Sequence, residues 1–261
     1  MATLPLIIGK LILPIFAGGK FDLNAVVWGM TLTYHFALLS IYDISAAVFM
    51  IAAWFGLGLL IENPPKSRPS VTVLMSQRRR DWMEVFVRRD PRIFDSQILA
   101  SLREGTSFFA STCVFAIGGV LALAKNTEPL EGVTFEVLAG MSPALLIQLK
   151  LAFVALFLTN AFLKFVWSNR VFGYCAVLMA AVPNDPNDPQ CKPLSSQAAS
   201  LNIRAAMNFN RGLRSMYFAL GALSWLFGPV PLVVATGVVI WVVWSREFAS
   251  MPRDILLNGG K

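Results

Sequence analysis

Four stretches of this chain, residues 44–61, 107–124, 145–166 and 216–243, run almost free of charge through their middles. A helix needs roughly 20 apolar residues to cross a hydrocarbon layer about 30 Å thick. A soluble core would scatter its apolar residues at amphipathic spacing instead of collecting them into blocks. Each block therefore predicts a membrane-crossing helix, which satisfies its own backbone polar groups where no water can. The expected fold is all-α, an integral membrane four-helix bundle with long helices extending into the cytoplasm. Composition agrees, with 56% apolar and 14% charged residues against roughly 45–50% and about 25% in soluble domains.

The first 18 residues, MATLPLIIGKLILPIFAG, have Pro5 and Pro14 interrupting the run and Lys10 inside it. A cleaved leader has an unbroken apolar region behind its basic residues, so residues 1–40 are expected to be a retained, membrane-associated extension. The four-span domain is then 41–248, and 249–261 a C-terminal tail.

Loop charges set the orientation. Residues 62–104 hold nine Lys and Arg, residues 167–214 hold five, and residues 125–145 hold only Lys125 against Glu128, Glu131 and Glu136. Basic loops stay on the cytoplasmic side, which places 62–104 and 167–214 in the cytoplasm of a plasma (bacterial inner) membrane. With four spans, both termini then face outside.

Within the first basic loop, ENPPKSRPS breaks the chain at Pro64, Pro65 and Pro69. After it Met75, Trp82 and Phe86 recur at helical spacing among Arg78, Arg79, Arg80, Arg88 and Arg89. A basic amphipathic helix beside a span reads as lying on anionic headgroups, with Trp82 and Phe86 as anchors. Asp90 and Pro91 are expected to open the next helix, which then rises unbroken to Ala124. The third span continues to Val182, too long for the hydrocarbon alone, so its second half projects out of it. NDPNDPQCKP (184–193) is a turn-rich connector. In the last span Gly228, Pro229 and Pro231 predict a kink, or, as the alternative, a hairpin that returns the C-terminus to the cytoplasm.

Polar residues at membrane depth are costly and are functional candidates by default. On the last helix Asn210, Arg214 and Tyr217 share a face with Arg211 beside them; on the third, Asn160 and Lys164 stand four apart, with Ser168 one turn on and Arg170 beyond. One reading has the cations snorkelling to lipid phosphates. The other has Asn160, Lys164, Ser168, Arg170, Asn210, Arg211, Arg214 and Tyr217 as an ion-binding stripe at the cytoplasmic entrance, where positive charge favours anions. Asp43 is placed to pair with Lys150 at the outer side. Gly56, Gly58, Ser107, Ser111, Gly118 and Gly119 offer close helix packing.

Cys113, Cys175 and Cys191 form no close pair, so neither a disulfide framework nor a thiolate metal site is expected. The single histidine, His35, makes no metal site alone. With no phosphate loop, nucleophile elbow or histidine triad, no enzyme and no cofactor are expected. The net charge of +7 follows from membrane insertion and does not imply nucleic acid.

Three segments in order, DPRIFDSQILASLREGTSFFASTCVFAIGGVLAL, WSNRVFGYCAVLMAAVP and FNRGLRSMYFALGALSWLFGPV, resemble the membrane family catalogued as domain of unknown function 599, over roughly residues 41–248. The resemblance implies a compact four-span protein with long helices reaching into the cytoplasm and brings no activity. Asp95, Ser107, Phe108, Phe109, Trp167, Arg170, Tyr174, Asn210, Arg214 and Tyr217 lie inside these segments, and their polar members are expected to meet at the cytoplasmic side. Two functions follow from the residues: a self-associating bundle that binds or passes an ion, an anion being favoured, or a small solute, or an accessory subunit of a larger membrane complex.

Overall fold

A computed structural model describes residues 39–131 and 143–259. Residues 1–38 of the N-terminal extension, with His35, and Glu136 lie outside the described residues. The elements are α1 (Ile41–Glu62), α2 (Val71–Val87), α3 (Ile93–Lys125), α4 (Pro143–Ala181), α5 (Cys191–Ala222), α6 (Pro229–Phe248) and α7 (Met251–Asn258), with a single helical turn at Glu128–Glu131 and a 3-10 turn at Leu223–Phe227. The described residues contain no strand. Helices α1, α3, α4 and the α6–α7 stretch are each long and apolar enough to cross a membrane.

Local chemistry sets several boundaries. Ser70 caps α2, its hydroxyl accepting from the Val73 N–H while donating to the Ile61 carbonyl at 2.7 Å. That one side chain serves both ends of the Pro-rich loop. Helix α3 begins at Ile93, not at Pro91; the Asp90–Pro91 peptide is cis and precedes it. The start of α3 is instead fixed from a distance: Arg92 donates to the Val182 and Pro183 carbonyls, each at 2.7 Å. These orphan carbonyls at the end of α4 thereby gain a partner. In the 184–193 connector, the Asp185 and Asp188 carboxylates accept from the N–H two residues on, at 2.9 and 2.8 Å.

Helix α4, 39 residues and about 58 Å long at 1.5 Å per residue, is the axis of the molecule. Antiparallel to it run α3, with Gln148 donating to the Ala124 carbonyl and Asn169 to Ser107, and α5, where Cys175 meets the Ala198 carbonyl and Phe153 meets Trp225. Gly212 permits a close approach of α5 to α4, since a Cβ there would sit 2.7 Å from the Phe165 ring.

The kink expected in the last span is replaced by its alternative. Gly228 has φ 115°, a left-handed backbone value that glycine adopts without strain, and Pro229 then starts a new helix at the position proline tolerates. Helix α6 returns along α5: Ser224 meets the Pro231 carbonyl at 3.1 Å, Gly221 faces Ala235 and Val239, and Arg246 donates to Tyr217 at 2.5 Å. Arg253 donates to the Pro69 carbonyl at 3.0 Å. The C-terminal end therefore lies beside the arginine-rich loops, and the expectation of a C-terminus at the far end is corrected.

Two ends follow. At the far end, the Trp225 indole donates to the buried Asp43 carboxylate at 2.6 Å, and buried Lys150 lies one turn from Phe153, which packs on Trp225. At the basic end, Met83, Phe86 and Val87 of α2 close over Leu99, Phe172, Cys175, Met179 and Ala198.

Candidate functional site

Where the basic end meets the apolar stretches, α1, α4 and α5 surround a cavity of about 270 Å³ lined by Trp54, Phe55, Gly58, Leu59, Glu62, Asn160, Lys164, Arg211 and Arg214. The helices place these groups by spacing alone. Residues 55, 58, 59 and 62 share one stripe of α1, 160 and 164 one stripe of α4, and 211 and 214 adjoining positions of α5.

Glu62 anchors the site. Its carboxylate accepts from Arg211 Nε at 2.8 Å and Nη2 at 2.5 Å, the bidentate fork that suits guanidinium and carboxylate. Arg214 Nη2 adds a third bond at 2.6 Å. Arg214 is buried, whereas the Arg211 side chain is 38% exposed. Gly58 gives Arg214 room, because a Cβ there would lie 3.7 Å from its Nη2. Beneath the ion cluster, the buried Ser215 hydroxyl accepts from Asn160 Nδ2 at 2.7 Å and from Trp54 Nε1 at 3.2 Å. Lys164 carries no ion pair or hydrogen bond among the described residues. Three cations thus face one carboxylate.

Of the polar stripe expected from the sequence, Asn160, Lys164, Arg211 and Arg214 come together here, and the other four do not. Ser168 is buried and donates to the Ala205 carbonyl at 2.7 Å. Arg170 is exposed and donates to Tyr174 at 2.6 Å. Asn210 turns toward α2 and donates to Thr72 Oγ1 at 3.3 Å; the Thr72 N–H and hydroxyl in turn donate to Glu247 at 3.0 and 2.9 Å. Tyr217 accepts from Arg246. Glu62, which the sequence marks only as the end of a span, is the residue missed. Its position at the close of an otherwise charge-free run was the available signal.

The basic surface helix also divides. Arg78 pairs with Asp81 at 3.0 Å with both side chains exposed, Arg80 donates to Gln77 at 3.3 Å, and Arg88 is exposed. Arg79 instead points inward and donates to buried Asn202, and burial pulls its guanidinium below the usual arginine value. Phe86 is buried under the Arg92 guanidinium. Trp82 and Arg89 donate to one oxygen of buried Asp95 at 2.6 and 2.5 Å, while the other oxygen has no hydrogen-bond partner. Trp82 and Phe86 therefore pack within the protein, because α3, α4 and α5 extend far enough to offer α2 an apolar surface of their own.

The polar members of the family-like segments remain apart: Asp95 belongs to this node, Ser107 accepts from Asn169, and Trp167 is exposed. Of the small residues expected to pack between helices, Gly58 faces Arg214 and Ser107 meets Asn169, whereas three of the glycines face open space. A Cβ at Gly56, Gly118 or Gly119 would meet nothing within 4 Å. All three cysteines are buried and free, and no group of three His, Cys, Asp or Glu able to hold a metal occurs among the described residues.

No curated protein and no solved structure matches the chain. A family model does, over residues 45–252, which include α2 to α6 whole and all but the first turn of α1. The chain belongs to the family described as protein of unknown function, DUF599.

Proposed function

We propose that this is a non-enzymatic protein of the plasma (bacterial inner) membrane, with its arginine-rich end in the cytoplasm, that binds an anion in the cavity between α1, α4 and α5. The observation that carries this is the charge imbalance there: Lys164, Arg211 and Arg214 against Glu62 alone, with Lys164 unengaged. Half-buried cations in a low-dielectric wall attract anions more strongly than exposed ones.

Binding is favoured over passage through a single chain by the side chains beyond the cavity. Trp54, Phe157, Phe153 and Trp225 form a run of edge-on aromatic contacts, and Phe157 stacks on Phe218. These rings fill the route toward the far end.

Titration of the purified full-length chain with inorganic phosphate, followed by thermal unfolding, tests this. Expected is a saturable rise in Tm that Lys164→Gln weakens about tenfold, the loss of one charge-assisted hydrogen bond. A response unchanged by Lys164→Gln contradicts the reading.

The accessory-subunit reading has one observation in its favour. The outward face of α3 presents Val114, Phe115 and Leu121, all exposed, around the open Gly118–Gly119 notch, a surface suited to a neighbouring helix. Gentle detergent extraction separates the two: a discrete homo-oligomer supports self-association, and co-migration with other subunits supports the accessory role.

A further inference from the structure

We infer that the anion taken by this cavity is the phosphate of an anionic phospholipid whose acyl chains lie along α1; the inference rests on the anion-site reading and specifies its ligand. The cavity changes character along the helix axis. At one end stand Glu62, Lys164 and Arg211. At the other the wall is Leu59 and Phe55, 51% and 61% exposed although they line a cavity. From Glu62 back to Phe55 is seven residues, a rise of about 10 Å, and it runs from the last charged residue of α1 into its charge-free stretch.

A water-soluble anion would gain from the charged end alone. A phospholipid matches both, because its phosphate sits at the boundary and its chains point along the charge-free stretch. A volume of about 270 Å³ lies just under the roughly 300–1,000 Å³ of small-molecule pockets. It admits a headgroup and leaves the chains outside, against exposed Phe55 and Leu59.

The charge count argues for an anionic lipid over a zwitterionic one. Glu62 already engages Arg214 Nη2 and the Nε and Nη2 groups of Arg211, so it balances one of the three cations, and a choline headgroup would add a further cation to a site with cations in surplus. A glycerol headgroup adds none, and its hydroxyls have Asn160 and Glu62 in reach of the same cavity. Lys164 supplies the free ammonium and the exposed part of Arg211 the remaining donors for the phosphate.

The test uses the full-length chain in neutral detergent, titrated with phosphatidylglycerol, with phosphatidylcholine of the same chains, and with inorganic phosphate. Tm and retained lipid in native mass spectrometry are read for wild type, Lys164→Gln, a Phe55→Ser/Leu59→Ser double variant and Arg204→Gln as an exposed-charge control. Expected is binding of phosphatidylglycerol at least about tenfold tighter than phosphatidylcholine or phosphate. Lys164→Gln should weaken phosphatidylglycerol and phosphate alike, the double variant should weaken only the lipid, and the control should change neither. If phosphate binds as tightly as phosphatidylglycerol, or the double variant leaves lipid binding intact, the lipid inference is overturned while the anion site stands. If phosphatidylcholine equals phosphatidylglycerol, the surface reads chains alone and the inference is overturned. If Lys164→Gln alters neither ligand, this inference and the anion site fall together.

Discussion

The basic end and the apolar stretches of this molecule are held together by different forces, and α2 and α1 show the contrast most plainly. Helix α2 is a short amphipathic helix whose apolar face, Met83, Phe86 and Val87, is buried against α3, α4 and α5. Water drives that association, as in any soluble core. Helix α1 is apolar nearly all round, with Val48, Phe49, Ile51 and Phe55 exposed. In lipid, burying such residues against another apolar helix gains little, and hydrogen bonds and close packing have to supply the association. Accordingly α1 is tied to α5 and the 3-10 turn that follows it by three polar rungs spaced along its length: Asp43 to Trp225 of the turn, and Trp54 to Ser215 and Glu62 to Arg211 and Arg214 of α5. The lesson is that polar residues in the two regions are placed for opposite reasons. At the basic end they decorate or anchor an apolar core, and along α1 they are the attachment itself.

The largest expected effect tests the basic end. Asp95→Ala leaves Trp82 and the partly exposed Arg89 without their acceptor, at a cost of about 3 kcal/mol; this is the low end for a broken buried pair, because one Asp95 oxygen is already unpartnered. Hydrogen exchange should quicken in α2 and the start of α3 while α1 stays protected. Equal loosening of α1 would remove the distinction between the two regions. Next is Gly212→Ala, which drives a methyl into the buried Phe165 ring. Chemical or thermal unfolding should show a loss of about 2 kcal/mol from overpacking, felt at the junction of both regions.

Glu62→Gln sharpens the comparison because it cuts a rung and frees cations at once. Phosphate affinity should rise about tenfold as the competing carboxylate disappears, while α1 becomes less protected. A fall in affinity would mean that Glu62 orients the arginines more than it competes with the ligand. The smallest effect belongs to Trp54→Phe, which keeps an aromatic ring but removes one hydrogen bond between α1 and α5, worth about 0.6 kcal/mol. Labelling of an introduced cysteine on α1 should detect the loosening, with α2 unchanged.

How much of this could be read in the residues varies by region. The first three charge-free blocks and the overlong third helix carry their meaning locally, since length and hydropathy decide whether a helix crosses, and they appear as expected; the fourth block, 216–243, is instead divided at Gly228 between α5 and α6. The Gly228–Pro229–Pro231 cluster marks a break without saying how sharply the chain turns; only the left-handed Gly228 and the contacts of Gly221 and Ser224 with α6 distinguish a hairpin from a kink. The amphipathic pattern of α2 shows one apolar face but not what covers it. Lipid headgroups and a neighbouring helical core demand the same spacing, and part of that core, Ala198, Ala199 and Ala205, lies more than a hundred positions away. In the candidate site, Lys164, Asn160, Arg211 and Arg214 stood out because charge at membrane depth is conspicuous. Glu62 did not, because its partners are 149 and 152 residues distant and nothing near it in the chain indicates them.

An experimental density map of the full-length protein in a phospholipid nanodisc tests the cationic cavity most directly. Expected is Glu62 bridging Arg211 and Arg214, with non-protein density for an anionic group within hydrogen-bond reach of the Lys164 ammonium. A map in which Lys164 and Arg211 turn away from one another, with no density between them, would contradict it.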